Sequence, residues 1–170
     1  AVQSDPNYIF RNDWEEPSYG RDADNDVFTK LAKTNNDGTI TDYGATFEDA
    51  VISGNGTYTC SMTTGDMGFG EDTAFHFFRV STDIPSKLVK EGYVTISDVT
   101  IKIGEGKTQS GVVVDTSGDW VKLIVEDNYN NIKADGVVLT APAPNTTTVI
   151  TFTVSGLSLI HISEPTRQEA

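Results

Sequence analysis

Short alternating or β-branched runs, each closed by a cluster of turn formers, constrain this chain more than any other feature. They fall at Ile40 to Asp42, Phe47 to Ile52, Thr57 to Thr63, Ala74 to Ser81, Tyr93 to Ile103, Gly111 to Asp115, Trp120 to Glu126 and Thr146 to Val154. Between them lie Ser53-Gly54-Asn55-Gly56, Gly65-Asp66-Met67-Gly68-Phe69-Gly70, Gly104-Glu105-Gly106, Thr116-Ser117-Gly118-Asp119 and Ala141-Pro142-Ala143-Pro144. A period of two sends successive side chains to opposite faces of a sheet, and turns at this spacing fold such runs back on one another. The expectation is an all-β chain, an antiparallel β-sandwich of the jelly-roll kind. Asp26 to Ala32 is the one short stretch that reads as helix.

No repeat or low-complexity linker divides the 170 residues, so they read as one domain. The end of the chain is treated apart. Leu157-Ser158-Leu159-Ile160-His161-Ile162-Ser163-Glu164-Pro165-Thr166-Arg167 resembles the in-frame translation of a transposon-end sequencing adapter. The expected division is a single module over residues 1–156 and a non-native tail over 157–170, in which His161 and Glu164 carry no evolved function.

Twelve Lys and Arg against 25 Asp and Glu give a net charge of −13. Binding nucleic acid by counterion release needs a basic footprint that this composition lacks, and an anionic membrane surface is disfavoured for the same reason. No apolar run approaches the roughly 20 residues that span a bilayer. The single cysteine, Cys60, rules out an internal disulfide; alternating with Tyr58 and Met62, it reads as a core thiol.

Ala74-Phe75-His76-Phe77-Phe78-Arg79-Val80-Ser81 is apolar on both faces, with Phe75, Phe77 and Arg79 on one and Ala74, His76, Phe78 and Val80 on the other. One face of a sandwich strand meets the core, so the other is covered by a loop or lines a groove. The long N-terminal segment is the expected cover for Phe78, and His76 is expected in the groove.

Lys33-Thr34-Asn35-Asn36-Asp37-Gly38-Thr39-Ile40-Thr41-Asp42 has the middle of a calcium loop but offers Lys33 at position 1 and Gly44 at position 12, where calcium needs carboxylates. A hairpin turn accounts for it better. Asp22, Asp24 and Asp26 concentrate hard oxygen ligands; they are a solvated acidic loop or a structural calcium site, and no other cofactor is implied. No nucleophile elbow, zinc motif or phosphate loop is present, and two carboxylates for glycoside hydrolysis cannot be picked from 25 acidic residues.

Aromatic residues gather beside turns and polar side chains. Trp14 and Tyr19 lie in a polar segment, Trp120 follows Ser117-Gly118-Asp119, and Tyr129 sits in Asp127-Asn128-Tyr129-Asn130-Asn131. Sugar rings present apolar C–H faces rimmed by hydroxyls, which such surroundings suit. Trp14, Tyr19, His76, Arg79, Trp120, Asn128 and Tyr129 are therefore the candidate ligand-binding residues, although each aromatic also fits a core or loop-packing role.

Phe47 to Met62 with its Gly56-Thr57-Tyr58-Thr59 strand, Ala74 to Ile84 with Val80-Ser81-Thr82-Asp83-Ile84, and Val94 to Ile103 together resemble the jelly-roll carbohydrate-binding modules attached to bacterial plant cell wall glycoside hydrolases. The resemblance covers about 100 residues of strand pattern. It implies a secreted, non-catalytic module that binds β-glucan, xyloglucan or xylan and holds a linked catalytic domain on plant cell wall polysaccharide. The other readings are a structural or adhesive extracellular sandwich domain, with its aromatics buried, and a small glycoside hydrolase.

Overall fold

The computed structural model describes residues 8–15, 19–21, 31–34, 37, 40–42, 44–66, 77–127, 130–137 and 143–157, with backbone alone at 13–15, 19–21, 31–34, 40–42 and 77. The strands are β1 (Tyr8–Glu15), β2 (Tyr19–Arg21), β3 (Leu31–Thr34), β4 (Ile40–Asp42), β5 (Thr46–Glu48), β6 (Ala50–Ile52), β7 (Gly56–Thr63), β8 (Phe77–Pro85), β9 (Thr95–Ile103), β10 (Gln109–Ser110), β11 (Val113–Asp115), β12 (Trp120–Asp127), β13 (Ile132–Lys133) and β14 (Thr147–Ser155); a short helix α1 (Ser86–Lys90) follows β8.

They form an antiparallel β-sandwich. One sheet, here sheet A, runs β11-β12-β8-β1-β6, with β13 also paired to β12; β2-β3-β4 make a separate small sheet, sheet B; and the second large sheet, sheet C, runs β10-β9-β14-β7-β5. The chain crosses between the two large sheets at Asp49, where β5 on the edge of sheet C gives way to β6 on the edge of sheet A.

The inner faces meet in one core. Phe10, Ile52, Phe78, Val80, Ile84, Val121 and Leu123 from sheet A pack against Cys60, Met62, Ile101, Ile150, Phe152 and Val154 from sheet C. Phe10 and Phe152 stack across the layers with ring centroids 4.4 Å apart, and Tyr58 stacks on Phe152 at 6.2 Å. Burying rings of this size is what holds two sheets together, and truncating one to alanine costs roughly 3–5 kcal/mol. Cys60 is part of this core as expected, its thiol pushed up to about 12, first by burial and then by the nearby Asp49 charge.

Three details differ from the sequence expectation. The N-terminal segment is no irregular cover: β1 is a central strand of sheet A, lying between β6 and β8. Phe78 is buried in the inter-sheet core, not under an N-terminal flap, because the Phe78 and Val80 face of β8 is the inner one. Leu31 and Ala32, read as the end of a helix, lie in β3; 26–30 fall outside the described residues.

Asn12 explains why β1 is hard to see. It occupies an inward position at 1% exposure, where alternation calls for an apolar residue. Its side-chain amide donates to the Glu48 and Ser61 carbonyls at 2.9 and 3.0 Å and to Asp49 Oδ1 at 3.2 Å, while its backbone N–H donates to the same Asp49 oxygen at 2.9 Å. A buried amide so satisfied costs little, and it pins the crossover between the sheets.

At the other end of the chain, Gly156 adopts a left-handed φ of +88° and packs so closely that a Cβ would collide with the Tyr93 carbonyl. Leu157 then enters the core at 6% exposure, its N–H donating to Asn55 Oδ1 at 3.0 Å. Beyond Leu157 the expected tail, 158–170, lies outside the described residues.

Candidate functional site

Alternation along the strands of sheet A decides what reaches its outer face. On β8 the inner residues Phe78, Val80, Thr82 and Ile84 are buried, which leaves Arg79, Ser81 and Asp83 pointing outward. By the same rule Ile9 and Arg11 on β1, Val51 on β6, and Trp120, Lys122 and Ile124 on β12 share that side.

The ladder arranges these residues in rows across the strands. Lys122 pairs with Ser81, and Ser81 with Arg11. Asp115 pairs with Lys122 on the far side, so the row runs Asp115, Lys122, Ser81, Arg11 with acid and base as neighbours. One step along the strands, Ile9 pairs with Val51 on one side and donates its N–H to Asp83 Oδ1 at 2.8 Å on the other, while Trp120 pairs with Pro85.

Two members of the face are large and open. Trp120 is 52% exposed and Val51 is 56% exposed. Between β1 and β8 the face sinks into a half-open pocket of about 200 Å³ lined by Ile9, Arg11, Ser81, Thr82 and Asp83. Arg11 is exposed, and among the described residues no hydrogen bond or ion pair occupies its guanidinium. Asp83 commits Oδ1 to the Ile9 N–H, and among the described residues no hydrogen bond occupies Oδ2. The pocket therefore presents an acceptor and a charged donor beside the apolar side chain of Ile9, with an indole two strands away.

The far end of the same face is closed. Ile124, at 1% exposure, is buried yet lies outside the inter-sheet core. Beside it, Arg79 Nη1 meets Asp127 Oδ2 at 2.6 Å, with side-chain exposures of 15% and 0%. A bulge makes this pair possible: between Ile124 and Glu126 the register slips, two residues of β12 answer one of β8, and Asp127 swings to the side of Arg79. Asn130 completes it, its side-chain amide donating to Oδ2 at 2.9 Å and its N–H to Oδ1 at 3.2 Å. Burial alone raises the Asp127 carboxyl, but the Asn130 amide, the Arg79 charge and the Asn130 N–H outweigh it and hold it below the ordinary carboxylate value.

Of the residues singled out from sequence, Trp120 and Arg79 are on this face, Trp120 in its open part and Arg79 in the ion pair at its closed end. Trp14 stands opposite Phe78 in the β1–β8 register, and Tyr19 opposite Lys33 in the small sheet; their side chains lie outside the description. His76, Asn128, Tyr129 and the acidic trio Asp22, Asp24 and Asp26 fall outside the described residues altogether. Among the described residues no cluster of three or more metal-binding side chains occurs.

Sequence reading missed Ile9, Arg11, Ser81, Asp83 and Lys122. The alternation of Tyr8, Phe10 and Asn12 against Ile9 and Arg11 held the signal for β1, but a polar residue at the third inward position broke it. No family model, no curated protein and no solved structure matches the chain.

Proposed function

We propose that this protein is a non-catalytic carbohydrate-binding module of jelly-roll type, and that it binds plant cell wall β-glycan on the outer face of sheet A. The observation that carries this reading is Trp120: an indole 52% exposed on a strand, on the same face as the exposed Arg11 and the Asp83 carboxylate that accepts the Ile9 N–H. Leaving that much aromatic surface in water gains the fold nothing. A sugar ring covers an indole with its C–H face and turns its hydroxyls to such donors and acceptors. The alternation of the chain between two five-stranded paths supports the jelly-roll reading.

In this role the module works by tethering. Held on a polysaccharide outside the cell, it raises the local concentration of substrate for a linked glycoside hydrolase without breaking bonds itself. Neutral glycans also suit the charge: at −13 the molecule repels polyanions, while Asp115 and Asp83 offset Lys122 and Arg11 on the face itself.

The test is native affinity electrophoresis in gels holding xyloglucan, mixed-linkage β-glucan, xylan or no polymer, with a Trp120→Ala variant alongside. Retardation in one or more glycans, weakened about tenfold in the variant, is the expected result and corresponds to ~1.4 kcal/mol. Free migration of the wild type in every gel, with no turnover of the polymers, would favour a structural or adhesive domain instead.

A further inference from the structure

We infer that the pocket between β1 and β8 is a single-sugar site: it takes one neutral terminal ring with a free vicinal diol, from a branch or a chain end. This inference rests on the glycan-binding reading above and specifies which part of a glycan the protein recognises.

Size is the first ground. About 200 Å³ is room for one ring and falls short of the 300–1,000 Å³ common for larger ligands.

The polar lining is the second ground. Asp83 Oδ2 accepts from a hydroxyl, and Arg11 donates to the neighbouring oxygen, so two adjacent hydroxyls satisfy both at once. The other Asp83 oxygen accepts the Ile9 N–H at 2.8 Å, which favours this orientation of the carboxylate. The one positive and one negative charge cancel, which suits a neutral ring. Ile9 gives the ring an apolar side to rest on.

Position is the third. Trp120 on β12 and Ile9 on β1 are separated by β8, two strand spacings of ~4.8 Å or about 10 Å in all. Trp120 is thus placed to stack a second sugar of the same ligand while the pocket holds the terminal one.

Isothermal titration with a branched xyloglucan, the same polymer after enzymatic removal of its branch sugars, and short linear oligomers of the main chain tests this. Wild type is expected to bind the branched polymer at least about tenfold more tightly than the debranched one. Ser81→Phe, which fills the pocket from a half-exposed strand position, is expected to abolish that ratio and leave the residual binding through Trp120. Asp83→Asn is the second variant; it keeps an acceptor for the Ile9 N–H, removes the Oδ2 acceptor, and should lower the ratio in the same direction. Recovery of affinity on shortening the debranched chain marks chain ends as the source of the terminal ring, and no recovery marks branches.

Equal binding of branched and debranched polymer by the wild type, with no gain on shortening the debranched chain and Ser81→Phe weakening every ligand alike, would overturn the single-sugar pocket while leaving the glycan-binding reading in place. Absence of binding to every glycan would overturn both.

Discussion

The two outer faces of the sandwich have the same backbone and opposite chemistry. On sheet C the outward positions are Thr57, Thr59, Ser61 and Thr63 on β7, and Thr147, Val149, Thr151, Thr153 and Ser155 on β14. Registered partners bond to each other: Thr57 to Thr153 and Thr63 to Thr147, Oγ1 to Oγ1 at 2.9 Å. Threonine suits an exposed strand because its branched Cβ favours extended backbone and its hydroxyl finds a neighbour. Strand formation alone accounts for this face. On sheet A an indole, a guanidinium and a carboxylate stand where threonine would do, and a buried ion pair closes one end. Strand stability does not call for these side chains, and that difference is what the proposed binding face rests on.

The sharpest way to break the comparison is at that ion pair. Arg79→Ala leaves the Asp127 carboxylate at 0% exposure without its cation, and one-sided removal of a buried pair costs roughly 3–5 kcal/mol. Thr151→Ala on the opposite face is expected to change stability by no more than ~1 kcal/mol. Urea denaturation of the two variants measures both. The double replacement Arg79→Met with Asp127→Leu should recover much of the loss, since no buried charge remains. Costs of equal size for Arg79→Ala and Thr151→Ala would mean that the closed end of sheet A is as solvated as the threonine face.

The same carboxylate supplies a pH dependence. Its folded pKa lies below the ordinary value, so its contribution is fully present above the unfolded pKa of about 3.9 and is lost as pH falls through the folded one. Wild type should therefore lose stability below about pH 4 more steeply than Asp127→Asn, whose side chain does not titrate. Parallel acid profiles from circular dichroism would assign the acid sensitivity to other groups.

The contrast between the faces also explains what could be read from the sequence. β7, β9 and β14 follow the sequence runs closely because their outward residues are mostly polar and their inward ones apolar, which is the pattern that a period-two search detects, while β12 is marked by its β-branched content directly after a turn. β1 was hidden by Asn12, whose solvation is replaced by Glu48, Asp49 and Ser61, partners 36 to 49 residues away. The pocket inherits that blindness, since two of its five lining residues are on β1. Trp120 was legible for a local reason, its place directly after a turn. The pairing of Arg79 with Asp127 was not, because it depends on a bulge that joins residues 48 apart.

The smallest effect concerns the threonine face itself. If Thr57 and Thr153 stabilise each other through their hydroxyls, a double-mutant cycle with Thr→Val at both positions isolates that term, since valine keeps the branched shape and removes only the oxygen. Cross-strand pairs of this kind are worth roughly 0.2–1 kcal/mol, so the expected coupling lies in that range. Both single variants should bind glycan as the wild type does. A coupling within error of zero would mean that solvent satisfies these hydroxyls equally well, leaving β-propensity alone to explain the face. A loss of glycan binding in either variant would instead move the working surface to sheet C and remove the distinction between the two faces.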